Sequence, residues 1–157
     1  MKQKLFAFGD DFYIKDENGN NAFFVDGKVF SIGKQLAFQD LSGNTLVHIQ
    51  QKLLAWGPTY ELYKGDTVAA VVRRDLFSFF RHRFTVDVPG PDDLEAEGNL
   101  LDREYALTRG GQQVAAVSKQ WFSWTDTYGV DIAEGEDTVL ILASTVVIDM
   151  VCHGDKD

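Results

Sequence analysis

Between Val72 and Phe84 stand Arg73, Arg74, Arg81, His82 and Arg83 against a single acid, Asp75. Phe77, Phe79, Phe80 and Phe84 interleave with them. Guanidinium groups hold phosphates through paired N–H donors, and cations beside apolar groups suit an anionic lipid surface. Lys52 and Lys119 each follow an aliphatic run and precede a tryptophan-bearing stretch. The candidate anion-binding set is therefore Lys52, Arg73, Arg74, Arg81, His82, Arg83 and Lys119, with an anionic lipid headgroup or a phosphorylated ligand as partner. The same stretch also reads as a solvated hairpin, because alternation alone turns Phe inward and Arg outward. Both readings stay open at this level, and Trp121, Phe122 and Trp124 read as core before they read as a ligand platform.

Other chemistries find less support. His48, His82 and His153 are scattered, and neither a nucleophile elbow nor a phosphate-cradling glycine loop is present. Cys152 and His153 are neighbours, so their side chains diverge on a helix or a strand. No catalytic set, metal set or cofactor is expected. The stretch "GPDDLEAEGNLLDRE" gathers Asp92, Asp93, Glu95, Glu97, Asp102 and Glu104. Clustered oxygens suit calcium, but the stretch does not follow the spacing of a twelve-residue calcium loop, and a solvated loop is the expectation.

These residues need elements to position them. The chain has 157 residues, 45% hydrophobic and 25% charged, with 3 Pro and 1 Cys. That describes one ordinary domain, residues 1–157, with no internal disulfide. The start, "MKQKLFAFGDDFY", lacks the apolar core of a signal peptide, so a cytoplasmic location, peripheral at the membrane if lipid is the ligand, is expected. A net charge of −9 opposes nonspecific nucleic-acid binding.

Gly19, Gly43, Gly65, Gly90, Gly111 and Gly135 recur every 21 to 25 residues, each within two residues of Asn, Asp, Pro or a second Gly. Such pairs make hairpin turns. Between them lie strand-like runs: "NAFFVDGKVFSI", "KQLAFQD", "TLVHIQ", "TYELY", "TVAAVVR", "RFTVDV", "EYALTR" and "QVAAVSK". Each interval holds two strands of ordinary length. The unit also repeats in its residues. Counted from Gly43 and from Gly111, Ile49 matches Val117, Trp56 matches Trp124, Thr59-Tyr60 matches Thr127-Tyr128 and Leu62 matches Val130. Gly65 starts a looser copy that aligns Val71 and Phe84. A meander this long tends to close, because closure removes exposed edges.

The last apolar run, "EDTVLILASTVVIDMVC", has three readings. A transmembrane helix needs about 20 apolar residues, and this run is shorter and contains Asp149. Its β-branched residues favour strands, yet 15 residues in one strand would reach about 50 Å. A buried helix over about 137–151 fits best. Asp137 serves as N-cap, and Ser144 and Thr145 bond back to the preceding turn. A helix apolar on all sides must be surrounded. The expected fold is mainly β: a closed antiparallel β-barrel of about 12 strands enclosing a hydrophobic C-terminal α-helix.

From about Phe12 to Met150 the chain resembles the LURP-one-related family, most specifically in "SKQWFSWTDTYGV", with Lys119, Trp121, Phe122, Asp126, Thr127, Tyr128 and Gly129. The resemblance implies a 12-stranded barrel around a hydrophobic C-terminal helix, shared with tubby C-terminal domains and phospholipid scramblases. It further implies headgroup binding through basic surface residues, as in tubby domains, and implies no enzymatic activity. The long Pro-rich region and full-length membrane helix of scramblases are missing, so lipid transport is not implied. The leading expectation is a non-enzymatic tubby-like binding module with an anionic ligand at a basic rim. The alternative is a protein-interaction barrel with no small ligand. A lipocalin-like carrier needs a lumen the helix would fill, and an enzyme is the least supported.

Overall fold

All six turn glycines lie at one end of an antiparallel sheet. The computed structural model describes residues 2–6, 12–27, 35–55, 57–75, 83–90, 92–119 and 127–153. Among them are β1 (Lys2–Phe6), β2 (Phe12–Lys15), β3 (Asn21–Asp26), β4 (Gln35–Gln39), β5 (Thr45–Gln51) and β6 (Thr59–Lys64). There follow β7 (Thr67–Arg74), β8 (Phe84–Asp87), β9 (Leu94–Asn99), β10 (Glu104–Arg109), β11 (Gln112–Ser118), β12 (Thr127–Ile132) and a single helix, α1 (Thr138–His153). The chain is mainly β, with one antiparallel sheet and one C-terminal helix. Every strand from β2 to β12 pairs with its neighbour in sequence. β1 pairs β12 from Lys2↔Asp131 to Phe6↔Thr127, and pairs β2 through Lys4↔Lys15 and Leu5↔Ile14.

A meander has two ends. The connections 16–20, 40–44, 65–66, 88–93 and 110–111, and the link 133–137 into α1, make the turn end. The glycines sit there because each interval carries one strand out and one back. Asp16 and Asp40 build the same turn. Asp40 accepts hydrogen bonds from the Ser42 and Asn44 backbone N–H groups at 2.9 Å, as Asp16 does from Asn18 and Asn20. Gly43 closes its turn at φ 89°, a conformation that suits glycine. The Asn44 side-chain amide also bonds Asp40, and these bonds hold the Asp40 carboxyl below its ordinary value.

The residue repeat is a repeat of register. β5 and β6 pair Ile49 with Leu62, and β11 and β12 pair Val117 with Val130, the two matches read from sequence. All four side chains are buried. The looser copy fails: β8 meets β7 through Arg74↔Phe84 and Val71↔Asp87, so Val71 and Phe84 are not partners. The connection between β7 and β8 is longer than in the other two hairpins, and the inward positions, Val72 and Phe84, set the register instead.

The acidic stretch is not a solvated loop. Leu94–Asn99 is β9, with Leu94 and Ala96 buried and Glu95 and Glu97 exposed. Two acids at alternate positions were read as a loop, whereas their spacing of two is that of a strand. β9 carries Asp92 and Asp93 to one end of the sheet and Asp102 and Glu104 to the other, too far apart to share a cation. No group of three His, Cys, Asp or Glu side chains suited to a metal occurs among the described residues.

Inward positions of the strands form the core, including Phe38, Ile49, Leu62, Val72, Phe84, Leu107 and Val130. The helix completes it. Ile141 to Ile148 are eight consecutive buried residues, more than two turns, so no face of the middle of α1 meets water. Each buried Val, Leu or Ile side chain contributes about 1.5–3 kcal/mol. Asp137 caps the helix: its carboxylate accepts from the Leu140 N–H at 3.1 Å. Ser144 donates to the Leu140 carbonyl at 2.8 Å and Thr145 to the Leu142 carbonyl at 2.7 Å, which satisfies both buried hydroxyls. No helix is long and apolar enough to cross a membrane among the described residues.

Candidate anion-binding rim

The helix starts at the turn end and finishes at the opposite end, called here the rim. Lys64 pairs with Asp137 and Arg109 grips both oxygens of Glu136 at 2.8 and 2.9 Å, fixing the start of α1 between the ends of β6 and β10. Burial pushes the Asp137 carboxyl up, but the Lys64 and Leu140 hydrogen bonds outweigh it and leave the carboxyl below 3.8.

Strand direction carries the sequence-selected cations to the rim. Lys52 is the first residue after β5 and Lys119 the first after β11, so both stand at equivalent ends of their hairpins although their spacings from Gly43 and Gly111 differ by one. Arg73 and Arg74 end β7, and Arg83 precedes β8. Arg81 and His82 lie outside the described residues. The rest do not form one uniform patch. Alternation puts Arg73 on the outer face, where it pairs with Asp87 at 2.9 Å. Arg83 is exposed and pairs with Glu97. Arg74 shares the inward parity of Val72, and its charge offsets part of the burial that raises the Cys152 thiol. Lys119 is held by its backbone: Glu104 accepts from its N–H at 2.9 Å and from the Ser118 hydroxyl at 2.7 Å. Exposed pairs such as Arg73–Asp87 and Arg83–Glu97 contribute about 0–1 kcal/mol, so a phosphate can compete for these guanidinium groups.

Beneath the rim lies a polar cluster that the sequence reading missed. Arg103, in the connection between β9 and β10, donates from Nε to Asp149 Oδ1 at 2.5 Å. The two side chains are 12% and 17% exposed. Arg103 adopts φ 55°, unusual for a residue with a Cβ, and its guanidinium lies 5.2 Å from the centre of the Tyr128 ring. Burial, reinforced by Asp149, raises the Tyr105 and Tyr128 hydroxyls well above 10, so both remain neutral. His153 Nε2 stands 3.9 Å from Asp149. Burial also pushes the Cys152 thiol to about 11, so it is no thiolate near neutral pH. The missing signal was a requirement rather than a motif. An acid on a helix surrounded on every side needs a cationic partner.

The turn end is acidic, whereas the rim mixes its cations with Asp75, Asp102, Glu104 and Asp149. The turn-end connections hold Asp16, Glu17, Asp40, Asp66, Asp92, Asp93, Glu134, Glu136 and Asp137. A cleft of about 330 Å³ at that end is lined by Asp92, Asp93, Glu95, Thr108, Gly110 and Gly111. Its carboxylates repel anions, so the cleft is not the candidate site. The rim lies at the other end of the sheet, around the C-terminus of α1.

Known proteins match this arrangement over nearly all of the chain. The chain is 40% identical over 158 residues to a Bacillus subtilis (strain 168) protein described as uncharacterized protein YxjI, covering 100% of this chain and 94% of that one. It is 23% identical to the Arabidopsis thaliana protein LURP-one-related 14, covering 95% and 81% of the two chains. Its fold superposes on the X-ray structure of an Arabidopsis thaliana protein with a TM-score of 0.68 at 19% identity, over 94% of this chain and 87% of that one. Residues 1–149 match the LURP-one-related family as a whole, so the chain belongs to the LURP-one-related family.

Proposed function

We propose that this protein is a non-enzymatic binding module that recognises an anionic lipid headgroup or another phosphorylated ligand at its basic rim. One observation carries the reading: the sheet sends Lys52, Arg73, Arg74, Arg83 and Lys119 to one end, while Asp16, Glu17, Asp40, Asp66, Asp92 and Asp93 stand in connections at the other. An anion approaching the molecule is steered to the rim and repelled from the turns. We infer that the sheet works as a closed barrel of twelve strands, a reading supported by the pairing of β1 with both β2 and β12. In a closed wall the rim surrounds the end of α1, and its cations face one another across the mouth. On this reading the protein works in the cytoplasm, at the inner face of the membrane, and is a single domain with no resident cofactor.

The test is cosedimentation with vesicles of phosphatidylcholine containing phosphatidylserine. Binding is expected at about 0.1 M salt and lost toward about 1 M, where screening shortens from about 10 Å to about 3 Å. Arg73→Glu with Arg74→Glu should weaken it. A chain that ignores anionic vesicles and soluble inositol phosphates at low salt contradicts the proposal. It would leave the alternative, a protein-interaction barrel, whose partner would survive those charge reversals.

A further inference from the structure

The connection from β5 to β6 presents an apolar pair beside the rim cations. Leu53 is 54% exposed and Leu54 98% exposed, immediately after Lys52. A single exposed leucine is ordinary. Two adjacent ones at the tip of a well-anchored connection are a different feature. The Lys52 N–H donates to the Thr59 carbonyl at 2.8 Å, the Thr59 hydroxyl to the Gly57 carbonyl at 3.3 Å, and the Arg74 N–H to the Pro58 carbonyl at 3.2 Å. These bonds hold the base of the connection against β7, next to Arg73 and Arg74, while both leucines of the same connection are exposed. The next connection is closed at its base by the Asp75 N–H on the Arg83 carbonyl at 2.7 Å, which brings Arg83 to the same edge.

Apolar tips flanked by cations match the cross-section of an anionic bilayer, with phosphates above and acyl chains beneath. We propose that the Lys52–Pro58 connection docks into an anionic membrane surface, Leu53 and Leu54 entering the acyl boundary while Lys52, Arg74 and Arg83 meet lipid phosphates. The proposal rests on the headgroup reading above and adds a bilayer, rather than a soluble phosphate, as the partner. The fold supplies its own control. Leu41 is 56% exposed, close to the 54% of Leu53, but stands beside Asp40 in a turn at the opposite end.

The experiment compares wild type, Leu53→Ser/Leu54→Ser and Leu41→Ser on vesicles of phosphatidylcholine with and without phosphatidylserine. It also uses an environment-sensitive dye on Leu54→Cys in a Cys152→Ser background. Binding to the anionic vesicles should fall about tenfold in the double variant, about 1.4 kcal/mol, and stay unchanged in Leu41→Ser. The dye should shift to the blue on the anionic vesicles. Equal binding by the double variant, with the dye still in water, overturns the insertion and leaves the headgroup reading standing. No vesicle binding by the wild type overturns the docking, and no binding of soluble inositol phosphates besides overturns the headgroup reading as well. Wild-type self-association lost in the double variant, without vesicle binding, would replace the bilayer with a second copy of the chain.

Discussion

Single residues at the rim end of the helix bear most of the electrostatic risk in this molecule. Arg103 and Asp149 are both largely buried, so removing one strands the other in a medium of low dielectric. Arg103→Ala and Asp149→Ala should each destabilise the fold by about 3–5 kcal/mol. The joint change to Met and Leu should cost far less than the sum. Urea titrations of the two singles and the pair measure this directly, and additive losses would contradict it. Gly98 carries a different constraint. At φ 133° it lies so near β10 that an added Cβ would stand 2.8 Å from the Glu104 carbonyl oxygen. Gly98→Ala should cost about 1–3 kcal/mol, read from the same titration. Neither constraint was legible in the residues alone. Asp149 was visible as an acid in an apolar run, but its partner is 46 residues away in the chain. The turn glycines declared themselves by spacing, whereas Gly98 sits inside a strand whose acids disguised it.

At the scale of elements, the helix start is the place to test how α1 is held. Asp137 supplies the cap and the Lys64 bond together. Asp137→Ala should cost about 1 kcal/mol near neutral pH. The carboxyl is depressed in the fold, so its contribution is complete above the ordinary value of 3.8 and is lost as pH falls through the lower folded value. The difference in urea midpoint between wild type and Asp137→Ala should therefore shrink below about pH 4, and a difference that grew there would contradict the assignment. The cap and the back-bonding of Ser144 and Thr145 were legible because they depend on residues within one turn. The β5–β6 and β11–β12 hairpins were legible too, since a fixed register leaves matched residues at matched spacing. The β7–β8 register was not, because its longer connection imposes no register and inward packing decides. β9 was hidden by the same alternation that should have revealed it: charge was read before period.

At the scale of the whole molecule, one antiparallel sheet packs against a buried apolar helix. Its architecture, mainly β with one C-terminal helix, followed from two sequence facts: turns at even spacing, and a run apolar on all sides that only a surrounding sheet can cover. The candidate site was half legible. Sequence named the cations, and topology brings those described to one end, but it also divides them between the outer face, with Arg73, and the inward parity, with Arg74. Its polar floor of Arg103, Asp149, Tyr105 and Tyr128 was not foreseen. The central claim is that anions bind at the rim and nowhere else. The direct measurement is a titration of the isotope-labelled protein with inositol trisphosphate, followed by backbone amide shifts. Changes are expected at Lys52, Arg73, Arg74, Arg83 and Lys119, with the amides of Asp16–Asn20 and Asp40–Asn44 unmoved. Shifts at those acidic turns, or no shifts at all at low salt, would contradict it.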